Sequence, residues 1–341
     1  MTSRNNSLTQ LPDPGRRAQR RSRLLAGVLA VVCMVGVALT WWLLVVHLTG
    51  QAMEQAALDG SRIGAHFVSD HARNLLHVVS LPAAIGLVLV VLVGARWRGS
   101  RRRALWAAGA VVAINISTQV LKYLILWRPD YGLFRKFGGM NTLPSGHTAV
   151  AASAAVALIL VTGPRWRGAA AWAGAVLAAA MGYSTLVCQW HRPGDVIAAL
   201  LLATFWGAVA IACGAWADET GPADSEPAGP APATPPTPAE AEGGAAAGEL
   251  PPARLSSAAV LGGLGILAGA AALMLEVLTW RGVVDAGGAG AVAAAQLSRT
   301  AVFIAYAAGA VGTVAVAGMG MAALALLTPR GVDQAGPAAR A

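Results

Sequence analysis

The 341-residue chain alternates long apolar runs with short polar breaks. Uncharged apolar runs of about 18 residues or more are long enough to cross a bilayer as helices. They fall at 24–48, 75–95, 104–126, 147–163, 169–188, 195–216, 256–279 and 300–327. The fourth and fifth are short or alanine-rich, so six to eight spans are expected. In lipid every backbone polar group must find its partner within the segment, which makes each run a helix. The expected fold class is therefore all-α, a polytopic transmembrane bundle with a six-helix core and two additional C-terminal helices. The polar stretch 49–74 between the first two runs reads as an amphipathic loop. Its His66 and Asp70 stand at i,i+4, but His71 points elsewhere on a helix and completes no metal set.

Composition agrees: 56% of residues are hydrophobic and 12% charged, which excludes a soluble domain. A net charge of +9 would ordinarily raise the question of nucleic acid. Here the basic residues sit at the ends of apolar runs, in the tail 16–23, "RWRGSRRR" (96–103), "PRWRG" (164–168) and Arg330. Those ends alternate along the chain, so the positive-inside rule places them and the N-terminus in the cytoplasm of a cell membrane. The loops 49–74, 127–146, 189–194 and 280–299 then face outward. The first run is about twice the length of a signal-peptide core and no small-x-small site follows, so it reads as a retained anchor. Arginine strongly outnumbers lysine in an Ala- and Gly-rich chain, which points to a high-GC bacterial genome. Cys33, Cys188 and Cys213 show no metal spacing.

Domain boundaries follow from the same pattern. Residues 1–23 form a basic cytoplasmic tail and 24–216 the six-span core. Residues 217–255 are acidic, rich in Pro and Ala and nearly free of large apolar side chains, hence a disordered linker. Residues 256–328 form a two-span tail and 329–341 a cytoplasmic end. The glycines of the tail spans, among them Gly265, Gly269, Gly309 and Gly312, let helices approach closely in lipid. They offer a surface for the body, a second copy or a membrane partner.

Three polar groupings share the outward face. The first, "LKYLILWRPDYG" (121–132), carries Lys122 and Arg128, two cations at an end where the positive-inside bias disfavours them. Their presence asks for an anion. The second, "LPSGHTAV" (143–150), turns at Pro144 and Gly146 just before a helix, so the free N–H groups near Ser145, Gly146 and His147 and the helix dipole favour an anion there. Ser145 is equally an N-cap. In the third, "QWHRPGD" (189–195), Arg192 caps a helix that begins at Pro193. Asp195 in the first turn then reaches back to His191, fixing its tautomer and leaving the other ring nitrogen as base or nucleophile. Cations, backbone donors, a carboxylate-held histidine and a second histidine supply what phosphoryl transfer requires.

In order and spacing these groupings resemble the type 2 phosphatidic acid phosphatase (PAP2) superfamily, whose motifs read K-x6-R-P, P-S-G-H and S-R-x5-H-x3-D. They stand here as Lys122…Arg128-Pro129, Pro144-Ser145-Gly146-His147 and Ser184-Thr185…His191…Asp195. The resemblance implies that His191 forms a phosphohistidine, that Asp195 orients it and that His147 protonates the leaving oxygen. It also implies that Lys122, Arg128, Ser145 and Gly146 hold the phosphate, with no metal or other cofactor. The implied partner is a membrane lipid bearing phosphate or diphosphate: phosphatidic acid, phosphatidylglycerophosphate or a polyprenyl diphosphate. The chain departs from the pattern twice. Five residues, not six, separate Lys122 from Arg128, and Thr185 stands where the family has a phosphate-binding arginine. Losing such a donor costs about 3 kcal/mol, or some hundredfold in rate. Arg192 is the expected replacement cation, with Arg135 and Lys136 as further candidates. Asn115 and Gln119, i,i+4 on the third predicted span (104–126), either line the site or bond between helices.

Overall fold

The computed structural model describes residues 14–78, 86, 100–133, 140–216 and 256–328. The helices are α1 (Pro14–Thr40), continued by a π turn at Trp41–Val46; α2 (Leu48–Val78); α3 (Arg101–Val120), continued by a π turn at Leu121–Ile125; α4 (Gly146–Val161); α5 (Arg167–Val187); α6 (Pro193–Ala212); α7 (Ser257–Asp285); the short α8 (Ala289–Ala293); and α9 (Arg299–Leu327). No strand occurs among the described residues. Six helical stretches, in α1, α3, α5, α6, α7 and α9, are long and apolar enough to cross a membrane. The protein is an all-α, multi-pass membrane bundle. The linker 217–255 and most of the predicted span 75–95 lie outside the described residues.

Helix starts follow local chemistry. Ser100, Ser145, Ser256 and Ser298 each accept a backbone N–H from three residues ahead, satisfying donors that the first turn leaves free. Pro193 occupies the first position of α6, where a missing N–H costs nothing.

The structure corrects the expectation for 49–74. The segment is helical, and residues 50–61 are buried except for the partly buried Asp59. Polarity suggested a loop, but tertiary packing encloses the helix: α2 lies against α5, α6 and α9. Small residues permit the approach. At Gly60 a Cβ would fall 1.9 Å from the Val302 carbonyl oxygen of α9. The C-terminal pair is therefore not an appendage: α9 packs on α7, α5, α2 and α6. At Gly309 a Cβ would come within 2.4 Å of Pro193 Cγ at the start of α6.

The two ends of the bundle differ in chemistry. At one end Trp216 is sandwiched between the guanidinium groups of Arg103 and Arg167, each 4.4 Å from the ring centroid. Nearby Arg23 and Arg102 donate to the carbonyls of Ala212 and Gly214, and Arg167 to that of Thr328. The other end, where α4 and α6 begin, gathers the motif residues.

Candidate active site

α4 has 16 residues, fewer than any of the six spans. Its first residue, Gly146, lies beside Gln119 of α3, six residues before that helix ends at Ile125. The start of α4 is therefore set back from the end of the helical stretch at Ile125. Ser145 is fully buried and caps the helix, accepting from the Thr148 N–H at 3.4 Å and the Thr148 hydroxyl at 3.0 Å. The Gly146 and His147 N–H groups have no acceptor among the described residues and stand at the positive end of the helix dipole. Ser145 N–H donates to the Asp195 carbonyl at 2.9 Å, so the backbone itself joins the second and third motifs.

The third motif is held from both sides. After α5 the chain turns through Gln189, whose φ of +55° is rare for a residue with a side chain. Thr185's carbonyl accepts the N–H groups of Trp190 and His191 at 2.9 and 3.3 Å. Asp195 is fully buried, and its Oδ2 accepts both His191 Nδ1 at 3.1 Å and the Arg192 N–H at 3.0 Å. A proton on Nδ1 leaves Nε2 with its lone pair, the state a nucleophile needs. The His191 side chain keeps 11% of its surface accessible. His147 is half-buried, its ring centroid 5.3 Å from that of Trp190, and lies within electrostatic reach of His191 and Lys122.

The cations take different stations. Lys122, on the π turn, and Arg128, beyond it, are half-buried. Burial, with the neighbouring Arg192 charge, lowers the Arg128 guanidinium to about 10, so it is still a cation at neutral pH. Arg192 is fully buried; its Nη1 donates to Thr142 Oγ1 at 2.9 Å, and burial lowers its pKa against the attraction of Asp195 and Glu54. It therefore sits beneath the site's surface, in the field that Arg128 and Asp195 share. Thr185 is also fully buried, with its hydroxyl donating to the Gly182 carbonyl at 2.7 Å inside its own helix. Asn115 donates to Ser153 of α4 at 3.3 Å, an interhelical bond, while Gln119 lies next to Gly146. Arg135 and Lys136 lie outside the described residues. Among the described residues no group of three or more His, Cys, Asp or Glu side chains is arranged to hold a metal ion.

Two residues of α2 that sequence reasoning assigned to a loop also reach the site. Gln51 donates to the Pro129 carbonyl at 2.8 Å, and Glu54 accepts the Gly194 N–H with Oε1 at 3.0 Å and Oε2 at 3.3 Å. Burial and the nearby Asp195 charge raise the Glu54 carboxyl to about 8. The only hint in the sequence was their polarity beside an apolar run.

The site combines a carboxylate-oriented imidazole, a second imidazole, two helix-start amides with no acceptor among the described residues and a group of cations around one recess. A family model described as the PAP2 superfamily matches residues 103–219, from α3 to just beyond α6. No curated protein and no solved structure matches the chain.

Proposed function

With residues 103–219 belonging to the PAP2 superfamily, a family of phosphatases and phosphotransferases, we propose that this protein is a lipid phosphatase. It would hydrolyse a lipid phosphomonoester or diphosphate on the extracytoplasmic face of a cell membrane. His191 Nε2 attacks phosphorus in line as the bond to the lipid oxygen breaks. Asp195 stabilises the positive charge that develops on the imidazole, and His147 gives its proton to the departing oxygen. Water, deprotonated by His147, then attacks the phosphohistidine, breaks the N–P bond and releases phosphate. Lys122, Arg128 and the Gly146 and His147 amides face the equatorial oxygens. Ser145 shapes that cradle, and Arg192 adds its charge from below in place of the arginine lost at Thr185. The supporting observation is the His191–Asp195 pair joined through the Asp195 carbonyl to the start of α4.

Trp127 and Trp190, both exposed, suit the headgroup level of a membrane interface. They favour a substrate entering sideways from the bilayer: phosphatidic acid, phosphatidylglycerophosphate or undecaprenyl diphosphate. Outward placement favours the polyprenyl carrier. Thr185, sealed within its helix, supports a second reading in which the site binds lipid phosphate but turns it over slowly or passes it to another hydroxyl. Phosphate release from these three lipids in detergent with EDTA, beside His191→Ala, separates the readings. Release that disappears in the variant supports hydrolysis. Binding without release, or formation of a phosphorylated alcohol in place of free phosphate when an acceptor alcohol is added, supports the second.

A further inference from the structure

We infer that Glu54, on a helix outside the family-matched segment, is a positioning residue that holds the first turn of α6 and with it the His191–Asp195 pair. This rests on the phosphoryl-transfer reading of that pair.

The geometry begins with the arrangement of donors at the start of α6. Pro193 has no N–H, and the Arg192 N–H is spent on Asp195 Oδ2. The remaining donor before Asp195 is the Gly194 N–H, and both Glu54 oxygens accept it. Glu54 is 3% exposed, so water does not stand in for it. A carboxyl oxygen therefore caps α6 from a different helix, one residue from the carboxylate that orients His191. Without it, a buried N–H is left unsatisfied at the residue whose position sets Asp195, and the helix start shifts to find a partner.

The same stretch of α2 holds the other two sides of the third motif's surroundings. Gln51 anchors the Pro129 carbonyl beside Arg128, and the Leu58 carbonyl accepts Gln189 Nε2 at 2.8 Å, steadying the turn with positive φ. Within eight residues, α2 thus braces the first motif's loop, the turn before His191 and the start of α6. Glu54 is the member closest to the reacting pair. Its other surroundings are the cations Arg128 and Arg192, the carboxylate of Asp195, and, across an apolar cavity of about 620 Å³ lined by α1, α2, α6, α7 and α9, Glu276.

The charge state follows from that enclosure. A carboxyl raised to about 8 is neutral at pH 6.5 and becomes an anion above pH 8, close to the Asp195 carboxylate. Ionisation there opposes the Asp195 charge and pulls on Arg192 and Arg128, so turnover declines on the alkaline side.

The test compares wild type, Glu54→Ala and Glu54→Gln as full-length protein in detergent, on dioctanoyl phosphatidic acid and undecaprenyl diphosphate, with 15N NMR of the histidine rings as a readout independent of turnover. Glu54→Ala is expected to lose at least about tenfold in kcat with KM changed less than about twofold, and to lose the Nδ1–H signature of His191 bonded to Asp195. Glu54→Gln keeps an acceptor oxygen, so it is expected to restore most of the turnover at pH 6.5 and to lack the decline above pH 8. The proposal is overturned if Glu54→Ala keeps kcat within twofold, or if its His191 signal matches wild type. It also fails if both variants lose thermal stability and turnover alike. If wild type itself releases no phosphate from either lipid, the phosphatase reading is what fails, and the His191 signal alone decides whether Glu54 positions the pair.

Discussion

Replacing Asp195 by Asn tests the reacting pair most directly. The carboxylate is fully buried and one oxygen, Oδ2, accepts from both His191 Nδ1 and the Arg192 N–H. Asparagine is nearly the same size, so no cavity forms, but the charge goes. Its amide can also donate to Nδ1 and so select the tautomer whose Nε2 carries the proton and cannot attack phosphorus. A hydrogen bond to a charged group contributes about 1.5–3 kcal/mol, against about 1 for a neutral one. Losing the charge-assisted part as the imidazolium develops, together with the tautomer bias, amounts to about 2–3 kcal/mol. That corresponds to roughly 30- to 150-fold in kcat. The fold also loses the anion that faces Arg192 and Arg128, and breaking such a buried arrangement costs about 3–5 kcal/mol. The expected phenotype is a folded but less heat-stable protein with KM little changed and kcat down about a hundredfold, measured as phosphate release beside thermal unfolding in the same detergent. A variant with kcat within threefold of wild type would refute the assignment of Asp195 as the group that orients His191.

Other perturbations follow from the packing. Thr185→Arg restores the family residue by sequence, yet the position is sealed and hydrogen-bonded within α5; a guanidinium there overpacks the helix contacts. It should lower the melting temperature, by the equivalent of about 1–3 kcal/mol or more, without raising turnover, and a gain in kcat would show that the site can open to receive it. Trp216→Ala removes a ring that is 2% exposed and stacked by two arginines at the end far from the site. It should cost about 3–5 kcal/mol in thermal or denaturant unfolding while leaving kcat of the folded fraction unchanged. Gly309→Leu drives a side chain into Pro193, so α9 must retreat from the start of α6; turnover should fall at least about tenfold. Gly263→Leu, whose Cβ meets nothing within 4 Å, should not change it. Equal turnover in these two variants would separate the C-terminal helices from the site.

Much of this protein was legible along the chain because lipid imposes local rules. Apolar runs must be helices, serines and Pro193 mark where helices begin, and the Lys122, Ser145–His147 and His191–Asp195 groupings carry their chemistry within short spacings. His191 and Asp195 stand close enough in sequence for a carboxylate in the first turn of α6 to reach back to the residue just ahead of the N-cap. What tertiary structure decided is everything whose partner lies far away in sequence. Residues 49–74 are polar enough to read as a loop, but α5, α6 and α9 enclose the stretch 50–61, and an enclosed backbone must hydrogen-bond to itself. Glu54 meets Gly194 across 140 positions, a contact no local spacing encodes. Arg192 and Thr185 show the converse: their residue types suggested a cation offered to substrate and a missing one, while burial assigned the first to an interior charge network and the second to its own helix. Local spacing gives the chemistry of a motif, and only the packing of distant helices decides which of its side chains face the substrate and what holds them there.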